Sequence, residues 1–319
     1  MFRLDNNMKI PEGNIDVVTI GELLIDMISH DYDDDFKFSS FHKYFGGSPG
    51  NLAINLKRLG RESAVISNIG NDSFGKFIIN TLKENTVNVD GITIDDEHNT
   101  SIVVVSKSKK SPSFIAYRDA DKNLKLNDKL ISLIKDSKIV HFTSWPISYE
   151  PARKTTLELI KYAKDNGKII SFDPNYRKVL WEKGHNGVDF IKELLKDVDM
   201  VKPSEDDAFH IFGSDTPEGY INKFLEFGVK LVMLTLGEDG VIVSNGEETI
   251  RIPTLATKVV DTTGAGDAFW SGFYAGILKG KTIRKAALLG SAVSACKLKE
   301  VGAVVKLPRV EEIEKKYRI

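Results

Sequence analysis

The stretch VVDTTGAGDAFWSGF, Val259 to Phe273, sets three small residues, Gly264, Ala265 and Gly266, between Thr263 and a carboxylate, Asp267. The apolar spacing of Ala268, Phe269 and Phe273 makes the continuation helical, so the small residues fall where a helix start leaves its N–H groups unbonded. Those donors and the positive end of the helix dipole form an anion site, and small side chains let the anion approach the backbone closely. A carboxylate in the first turn repels a bound phosphate, so as a functional group Asp267 serves as a base facing the other reactant. Together they suit phosphoryl transfer: the helix start holds charge on the moving phosphoryl group while Asp267 takes a proton from an attacking hydroxyl. An ordinary helix cap, with an acid complementing the dipole, fits this stretch equally well.

Either reading needs a scaffold. IDVVTIGELLIDM reads as one buried strand, NLAINLKRLG as a helix closing on Gly60, and SAVISNIG as another strand. The unit repeats with the helix DSFGKFIINTLKEN, the strand SKIVHFTS, the helix EPARKTTLELIKYAKDNG and the strand KIISFDPN. KDVDMVKPS, the helix SEDDAFHIFG, the strand VKLVMLTLG and two closing helices follow. This alternation predicts an α/β fold with a parallel sheet covered on both faces, whose ligands bind beyond the carboxyl ends of the strands. Residues from about 30 to 45 and from about 92 to 118 break the rhythm with short alternating patterns, predicting antiparallel strands outside the main sheet. Such strands act as a lid that excludes water, or form two surface hairpins; the pattern alone leaves both open. The polar N-terminal dozen residues read as a loose tail.

Composition narrows the ligand. With 44 Lys+Arg against 45 Asp+Glu the formal net charge of −1 offers no footprint for nucleic acid, so a small molecule is the expected partner. A single cysteine, Cys296, and no apolar run of membrane-spanning length predict a cytoplasmic protein with no membrane partner. Several look-alikes fail. GILKGKT has three residues between its glycines where a phosphate-binding Walker loop needs four. The acidic run Asp31, Asp33, Asp34, Asp35 resembles a calcium loop, but Phe36 stands where the glycine belongs. Scattered histidines argue against structural zinc, and His141, inside an apolar strand, reads as a satisfied core residue.

DTTGAGDAF resembles the C-terminal signature of the ribokinase-like (PfkB) family of carbohydrate kinases, and GGSPGNLAINLKRLG resembles its N-terminal glycine-pair motif. IGNDSFG, FDPNYR and TLGEDG match further landmarks in the expected order, so the resemblance covers almost the whole chain. It implies one kinase domain over residues 1–319, a three-layer ribokinase-like fold with a small β-sheet lid, and ATP with Mg²⁺. By resemblance Asp267 is the catalytic base, with Gly264, Ala265 and Gly266 as the anion hole. Asp26, Gly46, Gly47, Asn51, Arg118 and Arg177 match substrate-binding positions, Arg118 as a residue reaching over the substrate from the lid. Lys202, Glu205, Thr235, Gly237, Gly240 and Ser291 match nucleotide positions, Glu205 also organising Mg²⁺. Lys202 and Ser291 depart from the family, which commonly has Asn at both places. Asp261 and Thr263 match part of a monovalent cation site, implying K⁺, and the lid strands of this family often form a homodimer.

GELLIDM, GGSPGN and FDPNYR with the following LW look most like the fructokinase branch. 2-Keto-3-deoxygluconate kinases share the two arginines but commonly carry tyrosines where this chain has Val103 and Ala116, which suits a neutral hexose better than a sugar acid. The resemblance thus implies phosphorylation of fructose at its 6-hydroxyl, with 2-keto-3-deoxygluconate kinase or ribokinase as alternatives. A sugar- or nucleotide-binding regulator without turnover is the alternative from another class.

Overall fold

A computed structural model describes residues 2–32, 37–107 and 113–319. The chain runs through β1 (Ile15–Ile20), β2 (Leu24–Tyr32), β3 (Phe41–Gly46), α1 (Ser48–Arg58), β4 (Ser63–Gly70), α2 (Ser73–Glu84), β5 (Asn88–Asp95), β6 (Ile102–Lys107) and β7 (Ser113–Tyr117). It continues with α3 (Asp128–Lys135), β8 (Ser137–Thr143), α4 (Ser144–Ile147), α5 (Ala152–Asp165), β9 (Ile169–Asp173), α6 (Gly187–Leu194), β10 (Met200–Val201), α7 (Glu205–Phe212) and α8 (Pro217–Glu226). β11 (Leu231–Thr235), the hairpin β12 (Val241–Ser244) and β13 (Thr249–Ile252), and the helices α9 (Ala265–Leu278), α10 (Ile283–Lys297) and α11 (Val310–Tyr317) complete it.

Nine strands form one sheet in the order β13-β12-β11-β10-β9-β8-β1-β4-β5. It is parallel from β11 to β5, with β12 and β13 antiparallel at one edge. Alternate side chains feed opposite faces, as the two-residue period of a strand requires. Val18, Val140, Phe142, Val232 and Leu234 pack with residues of α3, α5, α6, α7 and α8, while Val17, Ile139, Leu231 and Met233 pack with α1, α9 and α10. Covered on both faces, these strands carry the near-continuous apolar runs seen in the sequence. His141 is buried in this core, and Ser171 and Tyr274 meet its Nδ1 at 3.1 and 3.0 Å; burial, with the Lys202 charge adding, depresses its pKa to about 3.

A separate four-stranded sheet, ordered β3-β2-β6-β7, stands apart from the first. It corrects two readings of the sequence. IDVVTIGELLIDM is two strands in different sheets, because β1 ends at Ile20 and β2 begins at Leu24; Asp26 therefore lies within the small sheet, opposite Tyr44 of β3 and Val103 of β6. A continuous apolar run does not reveal a change of sheet when both halves have a buried face. Within the second rhythm-breaking segment, residues 92–95 belong to β5 of the large sheet. Asp33, Asp34, Asp35 and Phe36 lie outside the described residues.

The N-terminal segment is not loose. Leu4 and Met8 are buried against the core beside α9 and α10, the Leu4 N–H donates to Glu248 Oε2 at 2.7 Å, and the Leu4 carbonyl accepts from the Arg284 N–H at 2.9 Å. Two apolar residues in a polar stretch suffice to dock it, and composition hides them.

α9 and α10 cross closely enough that only glycines fit between them. A methyl group on Gly272 would lie 2.8 Å from the Leu289 carbonyl oxygen, and one on Gly290 would lie 2.8 Å from the Phe269 carbonyl oxygen. Gly272→Ala is expected to lower stability by about 1–3 kcal/mol, because overpacking against backbone exceeds the ~1 kcal/mol gain in helix propensity. Chemical denaturation would show this, and an unchanged midpoint would refute so tight a crossing.

Candidate active site

The strand ends converge as the topology requires, with β1 at the switch between the halves of the sheet. Glu22 follows β1, Trp145 follows β8, Asp173 ends β9, Lys202 follows β10 and Thr235 ends β11, and all five line one cavity of about 710 Å³. The small sheet faces the same cavity with Asp26, Ile28, Val103, Val105 and Phe114.

The start of α9 forms one wall. Gly264 caps the helix with φ 73°, a left-handed conformation that a side chain would strain, and a methyl group there would meet Ala303 Cβ at 2.7 Å. No side chain caps this end, and the N–H groups of Gly266 and Asp267 meet no acceptor among the described residues. Lys202 reaches the same turn: a methyl group on Gly266 would lie 3.1 Å from its Nζ, which pairs with Asp173 at 2.9 Å. Trp270 Nε1 donates to the same Asp173 oxygen at 3.0 Å. Unbonded N–H groups beside a buried ammonium make a site for a polyanion.

Asp267, 8 % exposed, is held from α1 by two donors. Ser48 Oγ donates to Oδ1 at 2.6 Å, and Asn51 Nδ2 donates to Oδ2 at 3.0 Å. Burial pushes the carboxyl up to about 6, with the Asp173 charge adding; the two hydrogen bonds and the Lys202 charge hold it from rising further. The group is thus ionised at neutral pH yet basic enough to accept a proton. Glycine at 47 lets α1 begin here: its φ is 104°, and a methyl group would collide with the Glu22 carbonyl oxygen.

Further carboxyls line the cavity. Glu22 accepts the Ser48 N–H at 3.2 Å on Oε1, its buried Oε2 has no partner, and burial pushes it up to about 8. Burial likewise pushes Asp26 up to about 7. Asp207 is buried in a capping box with Ser204 and accepts the Tyr176 N–H at 2.7 Å; burial raises its pKa.

The residues named from the sequence separate into two groups. Asp26, Gly47, Asn51, Arg177, Lys202, Thr235, Thr263, Gly264, Ala265, Gly266 and Asp267 line the cavity. Gly46 lies just behind, packed on the Asp26 carboxylate. Arg118 does not reach over the cavity: its guanidinium is buried in an ion pair with Asp121 at 2.7 Å and over the Trp145 ring at 4.8 Å. Asp121 also accepts from Trp145 Nε1 at 2.6 Å, so Arg118 acts on the cavity wall through Trp145. Glu205 is exposed outside the lining, whereas Asp206 and Asp207 of the same helix start belong to it. Gly237 and Gly240 shape the turn between β11 and β12, and Ser291 sits on α10; none of the three lines the cavity, nor does Asp261. Glu22, Ser48, Trp145, Asp173 and Asp207 escaped sequence reasoning. Glu22, Ser48 and Asp173 stand inside the quoted GELLIDM, GGSPGN and FDPNYR motifs and Asp207 inside the quoted SEDDAFHIFG, while Trp145 lies in none of them.

A model described as pfkB family carbohydrate kinase matches residues 14–309. The chain is 53% identical over 317 residues to the ATP-dependent 6-phosphofructokinase of Thermoanaerobacterium thermosaccharolyticum, covering 99% of this chain and 98% of that one. The structure of Halothermothrix orenii fructokinase is similar at 46% identity with a TM-score of 0.79, covering 86% of this chain and 97% of that one. A double-mutant fructokinase from Vibrio cholerae, solved with fructose, ADP and a potassium ion, is 28% identical with a TM-score of 0.83, covering 96% of this chain and 99% of that one.

The raised carboxyls set a stability profile. A carboxyl whose folded pKa lies above its unfolded value contributes stability that is complete below the unfolded pKa, near 4, and is lost as pH rises through the folded value. Glu22, Asp26 and Asp267 place that loss between about pH 4 and pH 8. Glu22→Gln, which keeps the oxygen that Ser48 needs and stays neutral, is expected to raise Tm by at least ~2 °C at pH 9 relative to wild type while leaving it unchanged at pH 4. Parallel Tm curves across that window would show that Glu22 is not buried as a neutral acid.

Proposed function

We propose, for a chain that belongs to the pfkB family of carbohydrate kinases and is an ATP-dependent sugar kinase, that it transfers the γ-phosphoryl group of ATP to the 6-hydroxyl of fructose. The single observation that carries this reading is Asp267, oriented by Ser48 and Asn51 in the first turn of a helix whose leading N–H groups remain open. The sugar lies at the Glu22 and Asp26 end, with its primary hydroxyl at Asp267. That hydroxyl oxygen attacks the γ-phosphorus, the bond from phosphorus to the bridging oxygen of ADP breaks, and the hydroxyl proton passes to Asp267. The N–H groups of Gly266 and Asp267 and the Lys202 ammonium hold the negative charge on the moving phosphoryl oxygens. Mg²⁺ entering with ATP supplies charge neutralisation to the phosphates; Asp206, exposed on the cavity wall, is the carboxylate able to meet its water shell. Within a single kinase domain we assign the four-stranded sheet the part of the lid, since its inward residues face the cavity and closure there excludes the water that would hydrolyse ATP.

The cavity end beneath the small sheet supports a neutral sugar. Its lining combines two carboxyls, which accept hydroxyl donors, with Leu24, Ile28, Val103 and Val105, while the cations of the cavity lining, Arg177 and Lys202, follow strands β9 and β10 of the large sheet. A second reading is favoured by one observation, the 53% identity to a protein named 6-phosphofructokinase, which would make fructose 6-phosphate the acceptor.

ADP formation with ATP, Mg²⁺ and a panel of fructose, fructose 6-phosphate, 2-keto-3-deoxygluconate and ribose separates these readings: fructose is expected to give the highest kcat/KM. A preference for fructose 6-phosphate would install the second reading, and turnover of none would leave a binding protein. Asp267→Asn is expected to keep nucleotide binding and to lower kcat by about 10²–10⁴. Asn51, whose Oδ1 has no partner, can turn its amide to accept from the new one, so the variant should fold. Near wild-type turnover would remove Asp267 from the role of base. In wild type the acid limb of kcat/KM is expected near pH 6, and Ser48→Ala, which removes a donor to the carboxylate, should move it to higher pH.

A further inference from the structure

The loop entering the anion turn is gripped from behind by a lysine. Lys297, the last residue of α10, has no exposed surface. Its Nζ donates to the Asp261 backbone carbonyl at 2.6 Å and lies 3.9 Å from Asp261 Oδ2. The remaining acceptors of Asp261 are engaged as well: Oδ1 takes the N–H and hydroxyl of Thr263 at 2.9 and 2.8 Å, and Oδ2 takes the N–H of Gly302 at 2.7 Å. Burial alone would raise the Asp261 carboxyl, but these donors and the Lys297 charge hold it below its ordinary value. Asp261 and Thr263 are the two residues to which the family resemblance assigns a monovalent cation. They do not fit one here, because the carbonyl faces an ammonium, both carboxylate oxygens already accept hydrogen bonds, and a second cation would be repelled by the first.

An ammonium is a compact point charge with three donors, comparable in charge to such an ion and tethered to the chain. It also stands at the carboxyl end of α10, where the helix dipole favours a cation. From Asp261 the backbone needs only Thr262 and Thr263 to reach Gly264, so what fixes the Asp261 carbonyl fixes the approach to the turn.

We propose that Lys297 is a built-in cation, its ammonium holding the 261–264 loop in place of a free monovalent ion, so that the anion turn forms without added K⁺. This rests on the kinase reading for its activity readout alone. ADP binding by calorimetry and thermal melting read the same loop whatever sugar is used.

The test compares tetramethylammonium with K⁺ as the only monovalent cation. For wild type, kcat, ADP affinity and Tm are expected to change by less than about twofold or ~1 °C on the exchange. Lys297→Met, which keeps length and loses charge, is expected to lower kcat by about tenfold or more with the sugar KM little changed. Lys297→Thr, which shortens the side chain and opens the Asp261 carbonyl, is expected to become K⁺-dependent, regaining at least about fivefold in ADP affinity with K⁺ and nothing with tetramethylammonium. A purely structural lysine predicts no such ion-specific recovery. Stimulation of wild type by K⁺ of about fivefold or more in ADP affinity, or a folded Lys297→Thr indifferent to K⁺, would overturn the proposal. If neither variant folds, the wild-type exchange decides. A failure of the kinase reading would appear separately, as absent sugar turnover with ADP binding intact.

Discussion

An ionisable acid is held in the first turn of a helix whose leading N–H groups stay open, and much of the arrangement follows from that constraint. Left alone, a helix start recruits its own side chains as caps, as Ser204 and Asp207 do at α7. At α9 glycine and alanine offer no such group, and the carboxylate of Asp267 is drawn aside by Ser48 and Asn51 from another helix. Two hydrogen bonds thus do two jobs. They divert the acid from the N–H groups of its own turn, and they limit the rise that burial imposes on its pKa. α1 can reach across only because Gly47 adopts a backbone that places its first turn against the chain at Glu22.

The cavity divides electrically along its length. At the α9 end, open N–H groups and the Lys202 ammonium create positive potential, balanced by Asp173, which Trp270 also engages. At the small-sheet end, Glu22 and Asp26 sit in surroundings that disfavour their charged forms. Neutral carboxyls donate as well as accept, which suits a ring of hydroxyls better than carboxylates would. Under the proposed function a polyanion and a neutral polyol take opposite ends of the cavity and meet at Asp267.

Legibility in the sequence tracked how local each feature was. The uncapped helix start and the acid in its first turn were readable because a helix start is fixed by neighbouring residues, and the helices α1, α2, α5, α7, α9 and α10 were readable because amphipathic spacing and caps lie within a turn or two. The split of GELLIDM from the first strand was not, since both halves are apolar and only the partner strands differ. Arg118 shows the limit of carrying a role by motif: the residue is present, but Asp121 and Trp145, paired with it through the fold, decide where its guanidinium points. The docking of Leu4 depends on Glu248 and Arg284, more than 200 residues away. Glu22 lay inside a quoted motif and still went unread, because its chemistry comes from burial and not from its neighbours in the chain.

The helical hairpin of α9 and α10 joins these themes. A short link turns the chain back, so the amino end of α9 and the carboxyl end of α10 lie together, bringing a positive and a negative dipole end side by side. Each end carries the side chain of opposite sign to its dipole, Asp267 on α9 and Lys297 on α10; burial lowers the pKa of the lysine, and the charges of Asp261 and then Asp267 oppose that. Glycines at 272, 276 and 290 bring the helices close. A looser crossing would carry Lys297 away from the Asp261 carbonyl and free the loop that leads to Gly264. The glycines in the middle of the hairpin thus bear on the proposed site as well: they set the spacing at which the open amino end of α9 and the Lys297 end of α10 meet at the 261–264 loop.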